Sequence, residues 1–223
     1  MALKELGEGD AELLSGLGLE MVRRGENELA KELAEKVESS GDKTSNLGLL
    51  QLSLNEKERA FETLESAFLS EPNSIEAGNS LATAYLAAKE FEKALKLAQQ
   101  WVDEGKTVEG QMLKGIVFSR TGRLPEALAF FKSVLSEEPT HFMARAGVIE
   151  TQVAMGEDEQ ALKNLTLWVK EDGMLALFRN YTASVQAKHG KPGVEIAAKQ
   201  FEQWFSQGLV SGDEASYISV QMQ

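Results

Sequence analysis

Two histidines, His141 and His189, come first, because imidazole titrates near neutral pH and is the commonest metal ligand. Neither has a second histidine three or four residues away, so neither begins a zinc-binding helical pair. His141 opens a helical pattern and His189 stands just before a turn, which predicts solvent-exposed or helix-end positions. Cysteine is absent, which removes disulfides, cysteine zinc sites and thiol catalysis together. Glu56, Glu58, Glu62 and Glu65 interleave with Lys57 and Arg59 at helical spacing and predict a solvated outer face. Asp10, Glu12, Asp42, Asp158 and Asp213 fall near expected helix starts, where anions offset the helix dipole. No glycine loop ends in Lys-Ser or Lys-Thr, and no Gly-x-Ser-x-Gly elbow occurs. Gly16-Leu17-Gly18 lies inside a helical pattern with no strand before it, so helix packing explains it better than dinucleotide binding. These residues predict no catalytic group, no metal site and no cofactor, hence a non-enzymatic protein.

The elements that carry them are those of a folded chain. Of 223 residues, 43% are hydrophobic, which excludes wholesale disorder. Lys and Arg total 23 against 35 Asp and Glu, a net charge of -12 that repels phosphate backbones and argues against nucleic acid as a partner. No apolar run reaches the roughly 20 residues of a spanning helix, so this segment is not expected to insert in a membrane. Met1-Ala2-Leu3-Lys4-Glu5 lacks the basic end and apolar stretch of a signal peptide. Four prolines, Pro72, Pro125, Pro139 and Pro192, leave room for long helices.

An internal repeat sets the order of those helices. Gly25, Gly122 and Gly156 are each followed five residues later by alanine, and Asn55 and Lys89 hold the same place elsewhere. The alanines fall at 30, 60, 94, 127 and 161, spaced by 30, 34, 33 and 34, and a looser copy runs from Gly190 to Ala197. Apolar residues at helical spacing flank each turn, the pattern of a helical hairpin. Pro125 and Pro192 fit the first turn of a second helix, and Pro72 and Pro139 the end of one. Gly18, Gly48, Ala82 and Gly115 in first helices, with the periodic alanines in second helices, predict close helix crossings. Trp101, Trp168 and Trp204 each lie seven residues after a periodic alanine, where Val37, Ala67 and Val134 stand in other copies, so core is predicted rather than a stacking platform.

The sequence resembles the tetratricopeptide repeat (TPR) family. Gly115, Phe118, Gly122, Ala127, Phe131 and Pro139 match its pattern best. Lys89 replaces a turn glycine, Gln51 stands at an aromatic position, and Ile149 and Gln152 replace a small residue and an aromatic. The resemblance implies an all-α, right-handed α-solenoid: a single domain over 1–223 of about six hairpins, with a capping helix at 211–223. The units fall near 11–40, 41–73, 74–107, 108–140, 141–172 and 173–208. It further implies a non-catalytic scaffold that binds a protein or peptide in a concave groove lined by first helices. Carried over position by position, that groove holds Leu19, Leu49, Leu52, Asn79, Thr83, Leu86, Met112, Ile116, Glu150 and Asn180, with Ser15, Val22, Ser45, Ser119, Ala146, Val153 and Ser184 beside them.

The chaperone-binding members' cluster of lysine, arginine and asparagine is missing from these positions. Leu49, Leu52, Leu86, Met112 and Ile116 form an apolar strip that suits a partner, unless curvature or a second copy of the chain shields it. More narrowly, Gly9-Asp10-Ala11-Glu12-Leu13-Leu14 and Leu47-Gly48-Leu49-Leu50-Gln51-Leu52 resemble units of TPR lipoproteins of bacterial PEP-CTERM/exosortase systems. That likeness implies an excised, self-assembling segment of a periplasmic or outer-membrane-associated protein linked to exopolysaccharide export. Without it, a cytoplasmic location is expected.

Overall fold

The computed structural model describes residues 11–172 and 176–210. They form α-helices and no strand: α1 (Ala11–Arg23), α2 (Asn27–Ser40), α3 (Ser45–Ser53), α4 (Lys57–Ser70), α5 (Ile75–Ala87), α6 (Phe91–Asp103), α7 (Thr107–Arg120), α8 (Leu124–Glu137), α9 (Phe142–Met155), α10 (Asp158–Asp172), α11 (Ala176–His189) and α12 (Lys191–Ser206). The architecture is an all-α solenoid of helix pairs, as the repeat implies. The expected cap at 211–223, with Asp213, and the N-terminal Asp10 lie outside the described residues. The chain divides into two compact units, 1–97 and 98–223, with the boundary inside α6.

Most of the turns share one closure. Gly25 N–H donates to the Val22 carbonyl and Glu26 N–H to the Met21 carbonyl, at 3.0 and 2.9 Å. This two-bond closure satisfies carbonyls that the helix end leaves open. It recurs between α3 and α4, α5 and α6, α6 and α7, α7 and α8, and α9 and α10. The motif needs a left-handed residue, and where glycine is absent Asn55 and Lys89 adopt it, with φ of 65° and 62°. The last pair departs from the pattern. Gly190 N–H donates back to the Gln186 carbonyl at 2.8 Å. Its φ of 65° and ψ of -144° then start α12 directly, with Pro192 in the first turn. Thr44, Ser74 and His141 cap α3, α5 and α9, each accepting from the backbone N–H three residues on.

All six periodic alanines, Ala30, Ala60, Ala94, Ala127, Ala161 and Ala197, are fully buried. Seven residues on from them, Val37, Ala67, Trp101, Val134 and Trp204 are buried too. Trp168 is only half-buried and lies under the Arg145 guanidinium, 5.0 Å from ring centre to Arg145 Cζ. In unit one, Leu14, Ala30, Leu33, Val37, Leu47 and Leu50 share a core. There a methyl on Gly18 would collide with the Leu50 side chain and one on Gly48 with Leu64. In unit two, Phe131 of α8 is clasped by two glycines. A Cβ on Gly115 of α7 would come within 2.6 Å of its ring, and one on Gly147 of α9 within 2.8 Å.

Candidate functional site

First helices carry the expected inner positions, and each unit has its own face. In unit one, Asn79 and Thr83 are exposed, while Leu19, Leu49, Leu52 and Leu86 are half-buried. Thr83 Oγ1 donates to the Asn79 carbonyl one turn back, at 2.8 Å. Leu19 leans on the α1–α3 core. In unit two, Met112 and Ile116 are half-buried and pack on the core of Ala127, Leu128, Phe131 and Val148. The aliphatic residues of the expected strip thus spend part of their surface inside their own units. Fully displayed apolar side chains stand elsewhere, as at Leu13 and Leu69.

The polar replacements at the aromatic position find side-chain partners inside the repeat, although the buried Gln51 Oε1 accepts no hydrogen bond. Buried Gln51 donates from Nε2 to Glu38 Oε1 at 2.5 Å, and the other oxygen of Glu38 pairs with Arg59. Buried Gln152 accepts from Asn164 Nδ2 at 2.9 Å. Tyr85, at the same register in α5, donates to Glu65 Oε1 at 3.0 Å. Burial and that carboxylate push its phenol up to about 12. Lys93 lies 5.5 Å from the Tyr85 ring centre and 5.4 Å from that of Phe61. On the outer surface, Glu62 is drawn below the usual carboxylate range by its hydrogen bond from Lys43.

Expected residues converge on open space between α9 and α11. Asn180 Nδ2 donates to Glu150 Oε1 across the two helices at 2.9 Å. Beside that bond opens a cleft of about 750 Å³, lined by Glu150, Val153, Ala154, Arg179, Asn180, Ala183, Ser184, Ala187 and Lys188. Val153 is buried at the cleft, whereas Ala154, Ala183 and Ala187 are exposed. Lys188 Nζ donates to the Val153 carbonyl and lies 3.9 Å from Asp158 Oδ1. His189 Nε2 meets Asp158 Oδ2 at 2.7 Å, tying the end of α11 to the start of α10. Ser184 donates its hydroxyl to the Asn180 carbonyl at 2.8 Å.

The sequence reading reached Glu150, Val153, Asn180 and Ser184, but not Arg179, Ala154, Ala183, Ala187 or Lys188. The helical period was the available signal. Starting from Asn180, steps of three, four, seven and eight residues reach Ala183, Ser184, Ala187 and Lys188. Chemically the cleft offers an apolar floor, two cations, one carboxylate and two hydrogen-bonding side chains.

No family model matches the sequence, and no curated protein matches it. Solved structures do. A tetratricopeptide repeat protein from Parabacteroides merdae superposes with a TM-score of 0.63 at 19% identity, covering 95% of this chain and 83% of the other. A thermophilic TPR protein from Thermus thermophilus gives 0.57 at 21% identity, over 78% of this chain and 98% of the other. The helix pairs, their phase and these superpositions agree: the chain has the tetratricopeptide-repeat fold.

Proposed function

We propose that the chain is a non-catalytic protein-interaction scaffold that seats a partner peptide on the faces of its first helices. A repeat array presents stacked helices and little else, and its work is done by the side chains they display. The observation that carries the reading is the α9–α11 cleft, whose size, apolar floor and few convergent polar groups are those of a ligand seat. In unit one the corresponding face is Asn79 and Thr83 with the half-buried Leu19, Leu49, Leu52 and Leu86. Met112 and Ile116 take the same role in α7, as partly covered apolar walls.

Selection from a displayed peptide library against the whole chain tests this. Selected peptides are expected to bind Ala183→Trp about tenfold more weakly or worse, because the indole fills the cleft. Circular dichroism should show an unchanged helical spectrum for that variant. Selected peptides that bind Ala183→Trp and parent alike, or a library that yields none, would sink the cleft as a seat.

Leu13 and Leu17, one turn apart on α1, are 61% and 40% exposed and favour a second reading, assembly with another copy of the chain. Sedimentation velocity over a concentration series decides it. A dimer lost in Leu13→Lys/Leu17→Lys supports assembly, and a monomer at all concentrations removes it. The narrower resemblance to export lipoproteins adds nothing to either reading.

A further inference from the structure

We infer that copies of this chain join end to end, with Phe205 on α12 of one copy packing against Leu13 on α1 of the next. The inference rests on the assembly reading above and gives that assembly a direction.

Register is the first argument. Phe205 lies eight residues after its periodic alanine, Ala197. That place in α4, α6, α8 and α10 holds Phe68, Val102, Leu135 and Val169, all buried or half-buried. Leu13 lies twelve residues before its turn residue, Gly25. That place in α5, α7, α9 and α11 holds Ala77, Gly110, Ala144 and Phe178, all buried. The two places meet where one repeat packs on the next. A Cβ on Gly110 of α7 would come within 2.6 Å of Val102 of α6. Val169 of α10 and Phe178 of α11 share a core, so two large side chains fit there as well. Among the described residues, no helix precedes α1 or follows α12. Leu13 is 61% exposed and Phe205 51%. The two ends of the array thus display the two halves of a contact that the repeats make internally.

Space is the second. Gly147 lies nine residues before its turn glycine, and a Cβ there would meet the Phe131 ring of the preceding helix at 2.8 Å. Gly16 holds the same place in α1, and nothing lies within 4 Å of a Cβ there. One turn from Leu13, α1 therefore keeps open the seat that a preceding second helix fills elsewhere. An array that ends in solvent needs a polar outer face. Both end helices instead display large apolar side chains, and a second copy covers them.

The contact joins two different faces, so every added copy leaves one of each unfilled. Growth past a dimer follows, whereas a face that paired with itself would stop at two.

The test uses the whole chain as parent, Leu13→Lys and Phe205→Lys, followed by sedimentation velocity over a concentration series. The parent is expected to pass beyond a dimer as concentration rises. Each variant alone should associate about tenfold more weakly or worse, since a buried lysine opposes the contact. Each added lysine also reduces the net charge of -12, so self-repulsion does not explain the loss. An equimolar mixture keeps one intact junction, and it should recover a dimer and nothing larger. Gly16→Gln, which enters open space in a single copy, should weaken the parent's association with an unchanged helical spectrum in circular dichroism. Association unaltered in Gly16→Gln overturns the seat on α1. A Phe205→Lys variant that associates like the parent, while Leu13→Lys does not, keeps assembly and overturns its direction. Two variants that both associate like the parent move the assembly to another face, and a mixture no more associated than its components overturns the end-to-end contact. A parent that stays monomeric at every concentration overturns both the direction and the assembly.

Discussion

Lys89 holds a left-handed backbone, with φ of 62°, and Asn55 does the same at 65°. For an L residue this geometry sets Cβ against the following carbonyl at about 1–2 kcal/mol, and asparagine offsets part of it through local hydrogen bonds. Lys89→Gly is therefore expected to raise the unfolding free energy in urea by about 0.5–1 kcal/mol, after the extra chain entropy of glycine is subtracted. Asn55→Gly should gain less, and a larger gain at Asn55 than at Lys89 would contradict this account. Tyr85 makes a second prediction at this scale. Its phenol titrates at about 12 in the folded chain, because of burial first and then Glu65. In the unfolded chain a tyrosine titrates near 10. A folded pKa above the unfolded one gives stability that is complete below about pH 10 and lost as pH rises toward about 12. Tyr85→Phe should lose stability less steeply over that window, and an equally steep fall in the variant would remove Tyr85 as the cause.

At the scale of elements, α7, α8 and α9 meet around one ring. Gly115 and Gly147 leave no room for a methyl beside Phe131. Gly147→Ala is expected to cost about 1–3 kcal/mol as overpacking. Adding Phe131→Leu should make the double variant less unstable than the two single losses summed, because the smaller side chain frees the contested space. Strict additivity would place the cost elsewhere. The repeat made the small residues readable, since glycine and alanine recur in phase. It did not identify their partners. Gly18 faces Leu50 of α3, the next first helix, rather than the second helix of its own hairpin. A crossing depends on the angle between helices, and a one-dimensional period does not contain that angle.

For the whole molecule, 35 acidic against 23 basic residues make self-repulsion the dominant long-range electrostatic effect. Exposed pairs such as Lys43–Glu62 and Arg123–Glu126 contribute little that salt could remove. Moving from low to physiological salt should therefore raise the thermal midpoint, followed by circular dichroism. A lower midpoint would mean that attractive pairs outweigh the repulsion.

The sequence by itself determined the helix pairs, their six-fold phase, the buried alanines and the turn positions. Each of these is a local property repeated at a fixed interval, so one copy corroborates the next. The repeat resemblance also put Glu150, Val153, Asn180 and Ser184 on first helices, and all four line the α9–α11 cleft. Only the tertiary structure decided what surrounds them. Gln51 finds Glu38, Arg145 covers Trp168, and Lys188 reaches the Val153 carbonyl. These partners lie 13, 23 and 35 residues apart, and nothing periodic relates them. The tertiary structure also turned much of the apolar strip inward, since Met112 and Ile116 settle on the Phe131 core. Whether an aliphatic side chain on a first helix stays exposed depends on how closely the next helix packs against it, and that is decided by the crossing side chains of both.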